Sequence, residues 1–287
     1  MDFRTSSILS TGTKKEKFQK RVRRAMNLEF KIARSREELE HCFGVRYEVF
    51  AEQCGYLDLS RFPDRKESDE MDLLETTTNL LAIDNASHVK PIATMRVLQP
   101  NKCVAESRNT IFGLPSEEYF DLIELKDTGI LPVDFARSSV LKEYQASPAI
   151  VNLWGIAIHY ALSKGYTHLL TIANAETDDI NEAKMIYTLA KDKGLVHPSI
   201  KAYAKKICTR EEPYEHRIFE GKKESEIIFP YAMNIYNKIG TRFISEPVYY
   251  YDFRMCAFLI MLDLKNINKP LNQLFERAWK NFIKKSQ

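Results

Sequence analysis

The chain has 287 residues, 44% hydrophobic and 28% charged, with a formal net charge of +3. That length suits one large domain or two small ones, and the composition is that of an ordinary globular protein, which excludes fibrous and disordered classes. Five scattered cysteines without Cys-x-x-Cys spacing, no metal-type histidine spacing, and no apolar run longer than Met255–Leu262 point to a cytoplasmic protein with reduced thiols, no metal and no integral membrane segment.

The charge is uneven along the chain. Residues 1–34 hold ten Lys/Arg against three Asp/Glu, a balance of +7 that leaves −4 for the rest. Residues 1–27 therefore read as a basic N-terminal arm, either solvated or a docking surface for an acidic partner. Nucleic acid is disfavoured because the body of the protein is not basic. No apolar stretch follows those charges, so no secretory signal is expected. Leu28–Ala33 alternates weakly, as a first strand would.

Ser35-Arg-Glu-Glu38 then opens an amphipathic helix with a capping box, and Leu39, Cys42, Phe43 and Phe50 form its apolar stripe. Arg46 falls on the same stripe. A guanidinium keeps its charge, so a buried one needs a fixed anion, and the acidic cluster Glu67-Ser-Asp69-Glu-Met-Asp72 is the candidate. Gly55-Tyr56 stops the helix, and the polar stretch to Thr78 reads as a long functional loop.

Two strands follow, Asn79–Ile83 and Ile92–Leu98, with Arg96 sharing a face with Ile92, Thr94 and Leu98. Residues 101–128 read as irregular, with a helix at Ser116–Leu122. Val133–Val140 is a strand, Ala149–Ser163 a largely apolar helix closed by Gly165, and His168–Ala173 another strand. Residues 175–228 carry ten basic and eleven acidic residues and read as a helical insertion, with helices at Asp178–Lys193 and near Ser199–Ile207. A helix at Tyr231–Ile239, strands at Phe243–Tyr251 and Met255–Leu264, and an amphipathic helix within 265–287 complete a mixed α/β domain spanning 28–287.

Three patches taken together resemble the acyl-homoserine lactone synthases and the long-chain N-acyl amino acid synthases of the GNAT acyltransferase superfamily. They are Arg46-Tyr-Glu-Val-Phe50 with Gly55-Tyr56 and Glu67–Asp72; Ala93-Thr-Met-Arg96; and Asp134-Phe-Ala-Arg137. A fourth, Ala232-Met-Asn-Ile-Tyr236-Asn-Lys238-Ile-Gly240, looks like the superfamily's Ala-x-x-Leu-Tyr-x-Lys-x-Gly helix. The likeness covers roughly 28–173 and resumes at 231–264. It implies a mostly antiparallel central sheet flanked by helices, and transfer of a long acyl group from a thioester to the amine of an amino acid or similar small amine. S-adenosylmethionine as acceptor, or an acyl-binding module without turnover, are the alternatives.

The resemblance also distributes roles. Asp134 stands where the family has Glu, one methylene longer, and is the expected base. Asp69 and Asp72 orient Arg46, Arg96 and Arg137, and could grip an ammonium group. Phe50 and Tyr56 would line a substrate pocket, and Tyr236 would protonate the leaving thiolate. Strict alternation puts Asp134 and Arg137 on opposite faces, so both reach one site only across a bulge. The stretch 142–149 lacks the glycines of the usual pyrophosphate loop. That absence suggests acyl-phosphopantetheine on an acyl carrier protein as donor, and this acidic protein as the partner of the basic arm, with no other cofactor bound.

Overall fold

Ten strands run through the described residues, and eight of them sit side by side in one sheet. The computed structural model describes residues 27–86, 88–205, 215–222 and 226–286; the expected basic arm lies outside them but for Asn27. Strands β1 (Leu28–Ile32), β2 (Thr77–Asp84), β3 (Lys90–Leu98), β5 (Pro132–Val140), β6 (His168–Asn174), β8 (Arg242–Phe243), β9 (Val248–Tyr250) and β10 (Met255–Asp263) form an eight-stranded sheet. Its order is β1-β2-β3-β5-β6-β10-β8, with β9 also on β10. Every pairing is antiparallel except β5 with β6. Parallel neighbours need a crossover, which α3 (Ala149–Ser163) supplies. The short strands β4 (Phe120–Asp121) and β7 (Tyr203–Ala204) make a separate pair.

Both faces of the sheet are covered. On one, α3 and the C-terminal helix α6 (Lys269–Ser286) bury Leu153, Ala157, Ala161, Phe275 and Ala278 against β3 and β5. On the other lie α1 (Arg36–Tyr47), whose Cys42 packs on Leu81 and Ile83, and the π-helical turn Glu48–Gln53 that continues it. The capping box at Ser35 is complete: its hydroxyl accepts from Glu38 N, and the Glu38 carboxylate accepts from Ser35 N. Helix α4 (Ile180–Asp192) and helix α5 (Tyr231–Ile239) enclose a third apolar cluster with Phe243 and Phe258. Gly240, at φ +111°, ends α5 in the left-handed conformation a helix stop requires.

Several local expectations give way to tertiary context. Lys102–Arg108 is a helix, α2, capped by Asn101. Residues 115–118 are a single 3-10 turn leading into β4 instead of a helix, and of the second insertion helix expected near Ser199–Ile207 residues 199–205 run through β7 while 206–207 lie outside the described residues. The long strand expected over 243–251 is broken into β8 and β9.

Helices α3 and α6 approach closely at Gly155. A Cβ there would stand 2.7 Å from Phe275 Cα and 3.0 Å from its carbonyl oxygen, contacts with backbone that no rotamer change relieves. Gly155→Ala is expected to lower stability by about 1–3 kcal/mol through this overpacking. Urea unfolding checks it, with the far-UV spectrum unchanged.

Two features of the sheet create a site. Strands β5 and β6 pair over only three positions, Pro132–Asp134 with His168–Leu170. Beyond them β5 stays with β3 and β6 stays with β10, so the sheet splits. At the same level β5 bulges: Arg96 pairs with Ala136 and Thr94 with Ser139, so Met95 faces two residues, and Arg137 adopts φ +56°.

Candidate active site

The bulge resolves the facing problem. It brings Arg137 round to the side where Asp134 and Arg96 already point, and all three line the cleft left by the split. Arg137 and Arg96 then meet the acidic loop. A 3-10 turn, Glu70–Leu73, closes with Asp69 as its cap and Asp72 bonding back to Asp69 N at 3.1 Å, which places both carboxylates on one side.

Three guanidiniums and three carboxylates interlock there. Arg46, fully buried, donates through Nη1 to both Asp72 oxygens at 2.9 Å and through Nη2 to Asn79 Oδ1. Its ring neighbour Phe43 lies 5.4 Å from the guanidinium carbon. Arg96 Nη1 donates to Asp69 at 2.6 Å and to Asp72 at 2.9 Å. Arg137 donates from Nε to Glu67 at 2.9 Å, from Nη1 to the Tyr250 hydroxyl at 3.1 Å and from Nη2 to Asp69 at 3.3 Å. Burial alone would push the Asp69 and Asp72 carboxyls up; Arg96 beside Asp69, and Arg46 and Arg96 beside Asp72, outweigh it and hold both below the usual carboxylate range.

Asp134 stands apart from this lattice. It is 2% exposed, and its carboxylate accepts from Ser116 N at 3.2 Å. Burial, only partly offset by Ser116, pushes its carboxyl up to about 7. A carboxyl poised near neutrality in a cleft is suited to take a proton.

Two cavities meet at this level. One, about 310 Å³, lies in the split of the sheet and is lined by Asp134, Phe50, Tyr56, Tyr236, Phe253 and the free edges of β5 and β6. The other, about 220 Å³, is charged, with Arg61, Arg108, Glu67, Asp69, Glu70, Glu118 and Asp252 in its wall. Pro115, Arg96, Arg137 and Tyr250 line both. Phe50, Tyr56 and Tyr236 therefore fall in the cleft where the sequence places substrate. Phe253 gathers the first two, with centroids at 4.9 Å and 6.1 Å. Burial pushes the Tyr56 and Tyr236 hydroxyls up to about 12, so both stay protonated at neutral pH.

Arg46 and Asp72, grouped with the catalytic residues on sequence, line neither cavity. Every Asp72 oxygen is spent on Arg46, Arg96, Asn79 and Asp69 N, which leaves none for a substrate ammonium. Asp72 instead holds Arg96 and Asp69, which do line the charged cavity. Sequence reasoning missed Tyr250, Asp252 and Phe253, all on the short segment before β10, and Asn79 on β2. The only signal was the run Tyr249-Tyr250-Tyr251 ahead of an apolar strand, which carries no spacing motif.

Comparison with known proteins fits this architecture. Residues 45–155 match a family described as an acetyltransferase (GNAT) domain. No curated protein matches the sequence. Among solved structures, FeeM, an N-acyl amino acid synthase from uncultured soil microbes, is similar with 11% identity and a TM-score of 0.50, over 84% of this chain and 93% of that one. BjaI, described as a CoA-dependent acyl-homoserine lactone synthase, is similar with 13% identity and a TM-score of 0.49, over 88% and 89%. MesI, described in the same words, has 14% identity and a TM-score of 0.43, over 85% and 89%. Likeness at such identities is likeness of fold.

These findings correct the expected donor and partner. The structures whose descriptions print a donor are CoA-dependent, one of them holding S-adenosylmethionine and isopentyl-CoA, so an acyl carrier protein is supported neither as thioester donor nor as partner. The expectation rested on the missing glycines at 142–149. A glycine loop is one way of presenting backbone N–H groups to a pyrophosphate, and its absence removes that way without removing the ligand. Among the described residues no helix is long and apolar enough to cross a membrane.

Proposed function

We propose that this GNAT-fold acyltransferase moves an acyl group from a coenzyme A thioester to the α-amine of an amino-acid-type acceptor, S-adenosylmethionine foremost. The observation that carries this reading is the meeting of an apolar cleft and a charged cavity at one wall, with Asp134 in the cleft behind it. The thioester would lie along the split, where the unpaired edges of β5 and β6 offer backbone partners to an extended amide-bearing chain. The amine would come from the charged side.

The charge of that second cavity bears on the acceptor. Its wall holds four guanidiniums, Arg61, Arg96, Arg108 and Arg137, against five carboxylates, Glu67, Asp69, Glu70, Glu118 and Asp252. Mixed charge suits an α-ammonium with its α-carboxylate, and the excess carboxylate favours an acceptor that carries a further cation. A sulfonium supplies one.

Amide formation needs the amine deprotonated, the tetrahedral oxyanion held and the thiolate released. Asp134 takes the amine's proton, directly or through a water. Tyr236, protonated in the cleft, returns one to the thiolate. A backbone N–H released from the ladder by the bulge at Arg137 would meet the carbonyl oxygen.

The test follows free thiol from octanoyl- and palmitoyl-coenzyme A, with S-adenosylmethionine and with the common amino acids. Acceptor-dependent release is expected, and product mass separates an N-acyl amino acid from an acyl-homoserine lactone. Donor binding without acceptor-dependent release would leave an acyl-binding module in place of an enzyme.

A further inference from the structure

Tyr250 closes β9, and its ring is fixed on two sides, stacked on Phe253 at 5.4 Å and edge-on to Tyr119 at 4.9 Å. Its hydroxyl oxygen accepts from Arg137 Nη1 at 3.1 Å. A guanidinium has donors only, so this bond uses a lone pair of the phenol and leaves the phenol's own hydrogen over. Among the described residues that hydrogen has no acceptor, although the residue is only 8% exposed. Tyr250 also belongs to the wall shared by both cavities, whereas Tyr236 lines the apolar cleft alone.

Position separates what the two hydroxyls can serve. On the acyl-transfer reading a thioester sulfur would lie in the cleft with Tyr236, and the carbonyl that the amine attacks would lie where the two cavities join. We infer that Tyr250 is a catalytic residue that donates its hydroxyl hydrogen to the carbonyl oxygen as it becomes the tetrahedral oxyanion, with Arg137 behind it fixing the direction. The inference rests on the acyl-transfer reading. In the step, the amine nitrogen bonds to the carbonyl carbon, the C=O pair moves onto the oxygen facing Tyr250, and the N–H proton goes to Asp134. The pair returns, the C–S bond breaks, and the thiolate takes a proton from Tyr236, which Asp134 replaces by way of solvent. Thioester and amine give amide and thiol. A phenol already accepting from a cation is a stronger donor, so the hydrogen bond tightens as charge develops.

The experiment compares Tyr250→Phe and Tyr236→Phe in the full chain with two donors of the same acyl group, octanoyl-coenzyme A and S-(4-nitrophenyl) thiooctanoate, and the best acceptor of the preceding assay. Phenylalanine keeps the ring contacts, and thermal unfolding confirms it. Tyr250→Phe is expected to lower kcat by about 100-fold with both donors, the loss typical of one oxyanion donor, with acceptor KM within about threefold. Tyr236→Phe should lose rate with coenzyme A only, because nitrothiophenolate leaves without a proton. If the Tyr250→Phe loss vanishes with the activated thioester, or appears in KM alone, or does not appear, the role assigned to Tyr250 is wrong while acyl transfer stands. A wild-type protein that transfers to no acceptor overturns both.

Discussion

Asp134→Asn is expected to lower turnover by roughly 10²–10⁴-fold, the range of a positioned general base, and to make the protein more stable at pH 8. Both effects come from one cause, a carboxyl at 2% exposure whose burial outweighs the help of Ser116 and of the nearby Arg96 and Arg137. Burial raises its pKa from 3.8 to about 7. For an acid with a raised folded pKa, the folded state binds more protons than the unfolded one between those values, so stability is lost as pH rises from about 4 through 7. At 1.36 kcal/mol per unit, the whole shift corresponds to about 4 kcal/mol at most, which the uncharged amide avoids. The wild-type rate should rise with pH up to about 7, since only the carboxylate accepts a proton, and this limb should be missing from the residual rate of the variant. Thermal melts at pH 5 and pH 8 beside rate profiles of both proteins check the pair. An Asn variant with full activity, or one less stable at pH 8, contradicts the assignment.

Asp72→Ala is expected to be the most damaging single change to the fold, at about 3–5 kcal/mol. It removes the anion that Arg46 bonds twice and one of the two carboxylates that Arg96 bonds. Neither arginine can neutralise itself, and Arg46 is fully buried. Asp69→Ala should cost less, because Asp69 is half-buried and Arg96 keeps Asp72. The depressed Asp72 pKa gives the same interaction a pH signature. Its contribution is present above the unfolded value of 3.8 and lost as pH falls through the folded one. Urea unfolding of the three proteins at pH 7, and of the wild type down to pH 3, measures both.

Where the physics is local, the sequence shows it. The Ser35 capping box, the Arg46 stripe, the alternation of β3 and the turn that aligns Asp69 with Asp72 are set by residues within one or two turns of each other. The need for a bulge was legible for the same reason, since alternation alone forbids Asp134 and Arg137 from sharing a face. Partnerships across the chain were not. That Arg137 takes Glu67 and Tyr250, separated from it by 70 and 113 positions, follows from sheet order, which no spacing encodes. Tyr250, Asp252 and Phe253 were missed because a three-residue strand and a 3-10 turn are too short to carry a period. Helix α2 was missed because its seven residues bury only Ala105. The donor was misjudged because an absent motif was read as an absent ligand.

The short register between β5 and β6 has a mechanical meaning. Among the described residues three residue pairs are the only ladder joining β1-β2-β3-β5 to β6-β10-β8, so the sheet is two leaves sharing a short spine. Helix α3 packs on β2, β3 and β5 of one leaf, and the apolar cluster around it takes in Leu169 and Leu262 of the other. Whatever lies between the leaves replaces the rungs that the strands do not make with each other, and becomes part of what couples them. Occupancy of the gap is thus a variable of the protein's stiffness, and the empty and filled chains should differ in how far apart the leaves can move before either one frays.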